Sequence, residues 1–314
     1  MIVAGNPLGS MGTRRLGVVH KGCLLRRPGL FRQSTIAPVL FVALLLCFLL
    51  PRFSLAQTGS PGTTAGPDSS QTESNTDLAK KLQNPVADLI SVPFQSNTNF
   101  GVGPLDGTQE VLNIQPVIPF HLSDDWNLIT RTIMPLTWDP ALSPGGESSF
   151  GLGNTNASLF LSPAHPGKWI WGAGPAILLP ATNPSVGSNL WGAGPSAVVL
   201  RMDGPWVYGG LLNNVWSFGG TSGPGGNKVN VMTFQPFVNY NFGEGWYVVS
   251  SPIITQDWLA ESGQRLTLPV GGGIGKVLRL GKLPINLQLQ GFYNAIHPDN
   301  GPDWQLRSQL TFIF

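Results

Sequence analysis

From Leu89 to the C-terminus the chain alternates between segments of about ten residues rich in β-formers and breaks rich in turn residues. Within the segments, hydrophobicity repeats at every second position. In the last one, Trp304, Leu306, Leu310, Phe312 and Phe314 share one face, while Gln305, Arg307, Gln309 and Thr311 share the other. The segment before it opposes Ile285, Leu287, Leu289 and Tyr293 to Asn286, Gln288, Gln290 and Asn294. Another sets Met232, Phe234, Val238, Tyr240 and Phe242 against Thr233, Gln235, Asn239 and Asn241. A period of two excludes a helical face and describes strands with one oily and one wet side. The wet side is rich in Gln and Asn and nearly uncharged.

Twelve such segments can be marked: 89–100, 110–120, 127–137, 150–161, 169–179, 190–202, 206–218, 229–242, 246–254, 265–279, 283–294 and 304–314. The expected fold is therefore all-β, an antiparallel transmembrane β-barrel of about twelve strands, an even number as a single-chain bacterial barrel requires. The breaks alternate as well. Short ones at 203–205, 243–245 and 280–282 interleave with long ones at 139–149, 180–189, 219–228, 255–264 and 295–303. If Phe314 ends a descending strand, the short turns fall on the periplasmic side and the longer loops outside. Trp126, Trp169, Trp206 and Trp246 each follow a short turn, so they form a candidate aromatic girdle at the periplasmic interface. Pro116, Pro135, Pro175, Pro195, Pro236 and Pro269 lie inside segments, where each removes a ladder donor, and imply bulges or bends.

The first 56 residues differ in kind. They carry Arg14, Arg15, Lys21, Arg26, Arg27, Arg32 and Arg52 and no acid, followed by an apolar run from Ile36 to Leu50 and the small-x-small sequence Ser54-Leu55-Ala56. Together these describe a secretory signal peptide with an extended basic region, cleaved after Ala56. Taking those seven from the 18 basic residues leaves eleven against 16 acids, a net charge of −5, which removes the basic surface nucleic-acid binding needs. Both cysteines, Cys23 and Cys47, fall in the part to be removed, so the mature chain relies on its sheet rather than on disulfides. Residues 57–87 read as a flexible leader with one short helix from Leu78 to Gln83, capped by Asp77; residues 88–314 are the barrel.

Local chemical motifs are few. The cluster Gly271-Gly272-Gly273-Ile274-Gly275-Lys276 is not a phosphate loop, because Val277 replaces the Ser or Thr and Val270 the first Gly. His121, His165 and His297 have no metal-ligand spacing, and no serine stands in a nucleophile elbow. No catalytic residue, cofactor or metal is expected. The candidate lumen-lining residues are Arg131, Gln235, Phe237, Asn239, Asn286, Gln288, Gln290, Gln305, Arg307 and Gln309. The face of Arg131 is ambiguous, since Ile129 and Ile133 share its parity.

Several blocks resemble the outer-membrane transporter family labelled "MetA-pathway of phenol degradation", whose members often carry the misleading name neuromedin U. The blocks are Asn84-Pro85 with Leu89-Ile90-Ser91-Val92-Pro93-Phe94, Asn113-Ile114-Gln115-Pro116-Val117-Ile118-Pro119, Asp124-Asp125-Trp126, Trp191-Gly192-Ala193-Gly194-Pro195 and Pro298-Asp299-Asn300-Gly301-Pro302. The resemblance covers Asp77 to Phe314 and implies uptake of aromatic or other hydrophobic compounds. Some relatives carry a His near Asn214, which is lacking here. The terminal Phe314 resembles the signal read by the barrel-assembly machinery, which with outer-membrane lipid and a small solute makes up the expected partners. The expectation is a non-enzymatic outer-membrane channel for small solutes. A closed barrel acting through its loops and a lipid-acting barrel enzyme remain the alternatives.

Overall fold

The computed structural model describes residues 74–182, 185–220 and 228–314. The segment read as a signal peptide, with Cys23 and Cys47, lies outside them. Twelve strands follow one another as antiparallel neighbours: β1 (Ser91–Val102), β2 (Gly107–Ile114 and Val117–His121), β3 (Trp126–Asp139), β4 (Ser149–Leu152 and Asn156–Pro163), β5 (Trp169–Leu178), β6 (Leu190–Asp203), β7 (Trp206–Gly220), β8 (Asn230–Gly243), β9 (Trp246–Ser250 and Ile254–Asp257), β10 (Leu266–Leu280), β11 (Leu283–Ile296) and β12 (Trp304–Ile313). The last strand returns to the first, from Ser91↔Ile313 through Phe100↔Trp304, so the sheet closes and has no free edge. The all-β, twelve-stranded expectation holds.

The turn joining β1 to β2 departs from the short–long rule. It sits at the long-loop end, yet only residues 103–106 connect the strands, with Asp106 at a φ of 50°.

The prolines find their reason in the pairing. Pro116 lies in the break of β2, and Pro252 in the break of β9, with Pro236 on one flanking strand and Pro269, at a register shift, on the other. Pro175 and Pro195 face each other across β5 and β6. On the far side of each the ladder skips two rungs, between Ser158↔Ala176 and Leu161↔Ala173, and between Ala193↔Trp216 and Ser196↔Asn213. A missing N–H is tolerated where there is no rung to fill. The neighbouring Gly174 and Gly194 let the wall come close there: a Cβ on either would overlap the carbonyl oxygen of Leu159 or Asn214.

One helix precedes the barrel. α1 spans Asn75–Leu82, three residues earlier than the sequence suggested, because Ser74 rather than Asp77 is its cap: the Ser74 hydroxyl accepts from the Asp77 N–H at 3.1 Å. Asp77 in the first turn and Lys80 and Lys81 in the last complement the helix dipole.

Candidate functional site

The inward face of the barrel is divided. Along β11, β12, β1 and β2 it carries a ladder of amides. Tyr247 donates its hydroxyl to Asn286 at 2.7 Å, and Gln288 reaches the same hydroxyl at 3.4 Å. Gln290 bonds Gln288 (3.1 Å) and the Ser251 hydroxyl (3.0 Å). Arg307 donates to the Ser251 carbonyl (2.8 Å), to Asn97 (3.1 Å) and to Gln305 (3.0 Å). From Gln305 the chain of bonds continues to Asn99 (2.9 Å), on to Gln109 (2.9 Å) and then to Asp139. The ladder thus runs from Tyr247, one residue into β9 at the short-turn end, to Asp139 at the opposite rim. Each amide is both donor and acceptor, so the Gln and Asn neighbours satisfy one another between the two ionisable members, Arg307 and Asp139.

Arg307 is the cation within this ladder. These three acceptors are neutral, and its guanidinium lies 4.7 Å from the centroid of Phe292, which the surroundings bury. Its bond to Ser251 falls in the break of β9, where a ladder partner is lacking; Gln290 takes the Ser251 N–H from the same gap at 3.2 Å.

Across the barrel the inward face is apolar. Ile129, Phe160, Val198, Leu200, Val207 and Leu211 form one buried cluster on β3, β4, β6 and β7. Ala176, Leu178, Leu190, Val215, Val229 and Val231 form a second, nearer the long loops. Ser196 and Asn213, paired across β6 and β7, lie between the two, so the apolar stripe is interrupted by a polar step. Its neighbours point outward: Val199 and Leu212 are exposed, whereas Val198 and Leu211 are buried.

The segment between α1 and β1 crosses the short-turn end of the barrel. Leu78 and Ala79 pack on Tyr247, Val249, Val277 and Ile313. The Gly245 N–H donates to the Thr76 hydroxyl at 3.3 Å. Gln83 and Asn241 exchange two amide hydrogen bonds of 3.0 and 3.1 Å. Val86 then enters the first apolar cluster, and the chain returns to the seam, where the Phe314 N–H donates to Ile90 at 3.0 Å. Burying two or three aliphatic side chains is worth roughly 1.5–3 kcal/mol each, so packing outweighs the pair of neutral hydrogen bonds in holding this segment.

Between segment and wall lies a cavity of about 160 Å³. Arg131, Gln235, Phe237, Asn239, Asn286, Gln288 and Gln309 line it; Gln290, Gln305 and Arg307 belong to the ladder beside it. Arg131 points inward together with Ile129, and its Nη2 bonds the Gln115 side chain at 2.9 Å. Lining residues with no earlier expectation include Leu82, Gln95, Gln115, Val117 and Leu211. Most could be found by extending the alternation of β1, β2 and β7, but nothing local marked residues 81–89 as part of the lining.

On the outside, Trp126, Trp169 and Trp206 are exposed at the short-turn end, and Lys276 sits 4.4 Å over the ring of Trp246. A second exposed aromatic set, Phe100, Trp138, Phe150, Trp191, Trp216, Tyr293 and Trp304, occupies the long-loop end. Phe314 is exposed at the short-turn end of the seam. Among the described residues no group of three His, Cys, Asp or Glu is placed to hold a metal; His121 lies 3.5 Å from Asp88 and His297 3.4 Å from Asp303.

The closed twelve-stranded wall has a counterpart among solved structures. An outer membrane channel from Pseudomonas putida F1 superposes with a TM-score of 0.55 at 16% identity, covering 72% of this chain and 94% of that one. The likeness is one of fold. Weaker likenesses are to the monoaromatic hydrocarbon channel CymD (TM-score 0.41, 10% identity, 76% of this chain and 90% of that one) and to outer membrane phospholipase A from Escherichia coli (0.39, 13%, 77% and 98%). No protein-family model matches the chain, and no curated protein resembles it in sequence.

Proposed function

We propose that this protein is an outer-membrane channel for small solutes that have an apolar part, aromatic compounds among them. The observation that carries the reading is the divided lumen. An interrupted apolar stripe along β3–β8 gives a hydrophobic body apolar surface at two heights, and the facing amide ladder offers exchangeable hydrogen bonds. Passage needs binding that is favourable yet weak and repeated, and such a pair of walls supplies it. The fold shared with an outer membrane channel supports the location, as does the exposed aromatic set at each end of the wall. The sequence resemblance to a transporter family labelled for phenol degradation agrees in kind with this reading. No catalytic step is part of it.

Planar-bilayer recording of refolded residues 57–314 tests the proposal. Discrete conductance steps that added aromatic solutes block are the expected result. A folded, heat-modifiable barrel that neither conducts nor passes an aromatic solute into vesicles would overturn it. One observation favours a second reading, a sealed barrel acting through its loops: residues 75–90 fill the short-turn end. Under that reading removing the segment's anchors would leave conductance at zero.

A further inference from the structure

We infer that the cavity beside the N-terminal segment is a binding site for a small organic anion, a carboxylate carried on a single ring or short chain, and that Arg131 holds the carboxylate. The inference deepens the channel reading by naming a substrate class for the same lumen.

The two lumen arginines are held differently. Arg307 is spent on structure: three neutral acceptors and an aromatic ring surround its guanidinium. Among the described residues Arg131 has one hydrogen-bond partner, the Gln115 side chain, which uses a single Nη2–H and fixes the orientation of the fork. Gln115 is itself buried, and its backbone N–H is tied to Pro93 at 2.9 Å in the break of β2, so this support is rigid. Arg131 lines the cavity. A guanidinium presents parallel N–H donors matched to the two oxygens of a carboxylate, and a largely desolvated charge is costly until such a partner arrives.

The lining restricts the guest further. Among the described residues around the cavity the charged side chains are Lys81 and Arg131, both cations, with no Asp or Glu. Leu211 and Phe237 add apolar surface, and Gln235 adds a neutral amide. A bare inorganic anion would leave that apolar surface unused, and a neutral hydrocarbon would leave the guanidinium unpaired. At about 160 Å³ the space is below the ~300 Å³ of ordinary ligand pockets, which favours one ring over a long chain or a sugar.

The test is isothermal titration of refolded residues 57–314 in a non-ionic detergent with benzoate, benzyl alcohol and inorganic phosphate. Benzoate should bind saturably, and about tenfold or more tighter than the other two. Arg131→Gln should remove the preference for benzoate over benzyl alcohol. Should that variant fail to fold, Arg131→Lys, which keeps the charge but loses the fork, should weaken benzoate several-fold. Equal affinity for benzoate and benzyl alcohol, or benzoate binding unchanged in both variants, would overturn the site; phosphate binding as tightly as benzoate would overturn the organic guest. Bilayer recording and vesicle uptake separate this from the channel reading. Saturable benzoate binding with neither conductance nor aromatic-solute passage keeps the site and removes the channel, whereas conductance or passage without benzoate binding does the reverse.

Discussion

The Arg307 guanidinium bonds the Ser251 carbonyl oxygen at 2.8 Å, spanning from β12 to the break in β9 that Pro252 imposes. A charged side chain thereby supplies a donor to a carbonyl that the break leaves without a ladder partner.

Removing it strands several groups at once. Arg307→Met leaves the Ser251 carbonyl, Asn97 and Gln305 each short of a donor, and should cost roughly 2–4 kcal/mol, since bonds to a charged donor are worth about 1.5–3 kcal/mol. Urea unfolding of the barrel in lipid vesicles measures it. Stability equal to that of the parent chain would show that the break in β9 closes by other means.

Val86 anchors the N-terminal segment in the apolar cluster of Ile129, Phe160 and Leu200. Val86→Asp puts a carboxylate there and should expel the segment, raising single-channel conductance several-fold while the barrel stays heat-modifiable. Gln83→Ala removes only the amide exchange with Asn241, about 1 kcal/mol per bond, and should give a smaller rise. Conductance unaltered by Val86→Asp would mean that this segment is not the constriction.

Gly194 and Gly291 make a matched comparison. A Cβ at Gly194 overlaps the Asn214 carbonyl, whereas one at Gly291 meets nothing within 4 Å. Gly194→Ala should cost about 1–3 kcal/mol or prevent folding, and Gly291→Ala should stay within about 0.5 kcal/mol of the parent. Heat-modifiability on gels separates the folded from the unfolded fraction of each.

Val199 is exposed on the outer face while Val198 and Leu200 are buried on the inner one. In a bilayer Val199→Arg should lose about 2–4 kcal/mol if the residue lies near mid-membrane, and Val199→Leu almost nothing. Equal tolerance of both in vesicle unfolding experiments would argue that this face does not meet lipid.

How much the sequence discloses depends on which wall is read. On β11 and β12 polar residues face in and apolar ones out, so period two separates the faces at sight: Asn286, Gln288 and Gln290 against Ile285, Leu287 and Leu289. On β3 the rule fails. Ile129 shares the inward face with Arg131, and on β6 and β7 both faces are apolar, as Val198 beside Val199 and Leu211 beside Leu212 show. Alternation cannot tell an oily lumen from an oily exterior, so the stripe was hidden. The ladder was hidden for another reason: its links join residues far apart in the chain, such as Arg307 and Asn97, and exist only once the wall has closed. The cap of α1 was misplaced because Asp77 and Ser74 both suit the role, and only the bond to the Asp77 N–H distinguishes them.

The seam between β1 and β12 also sets a timetable. It pairs Ser91 with Ile313, so the two strands that finish the wall are the earliest and latest to be made, and no arrangement of the intervening ten is free of a raw edge until the final residues arrive. Contacts of such separation are slow to form, and unpaired edges invite association in the meantime. A barrel of this design therefore spends its vulnerable period with eleven strands made, and its survival then depends on whatever shields it until β12 is in place.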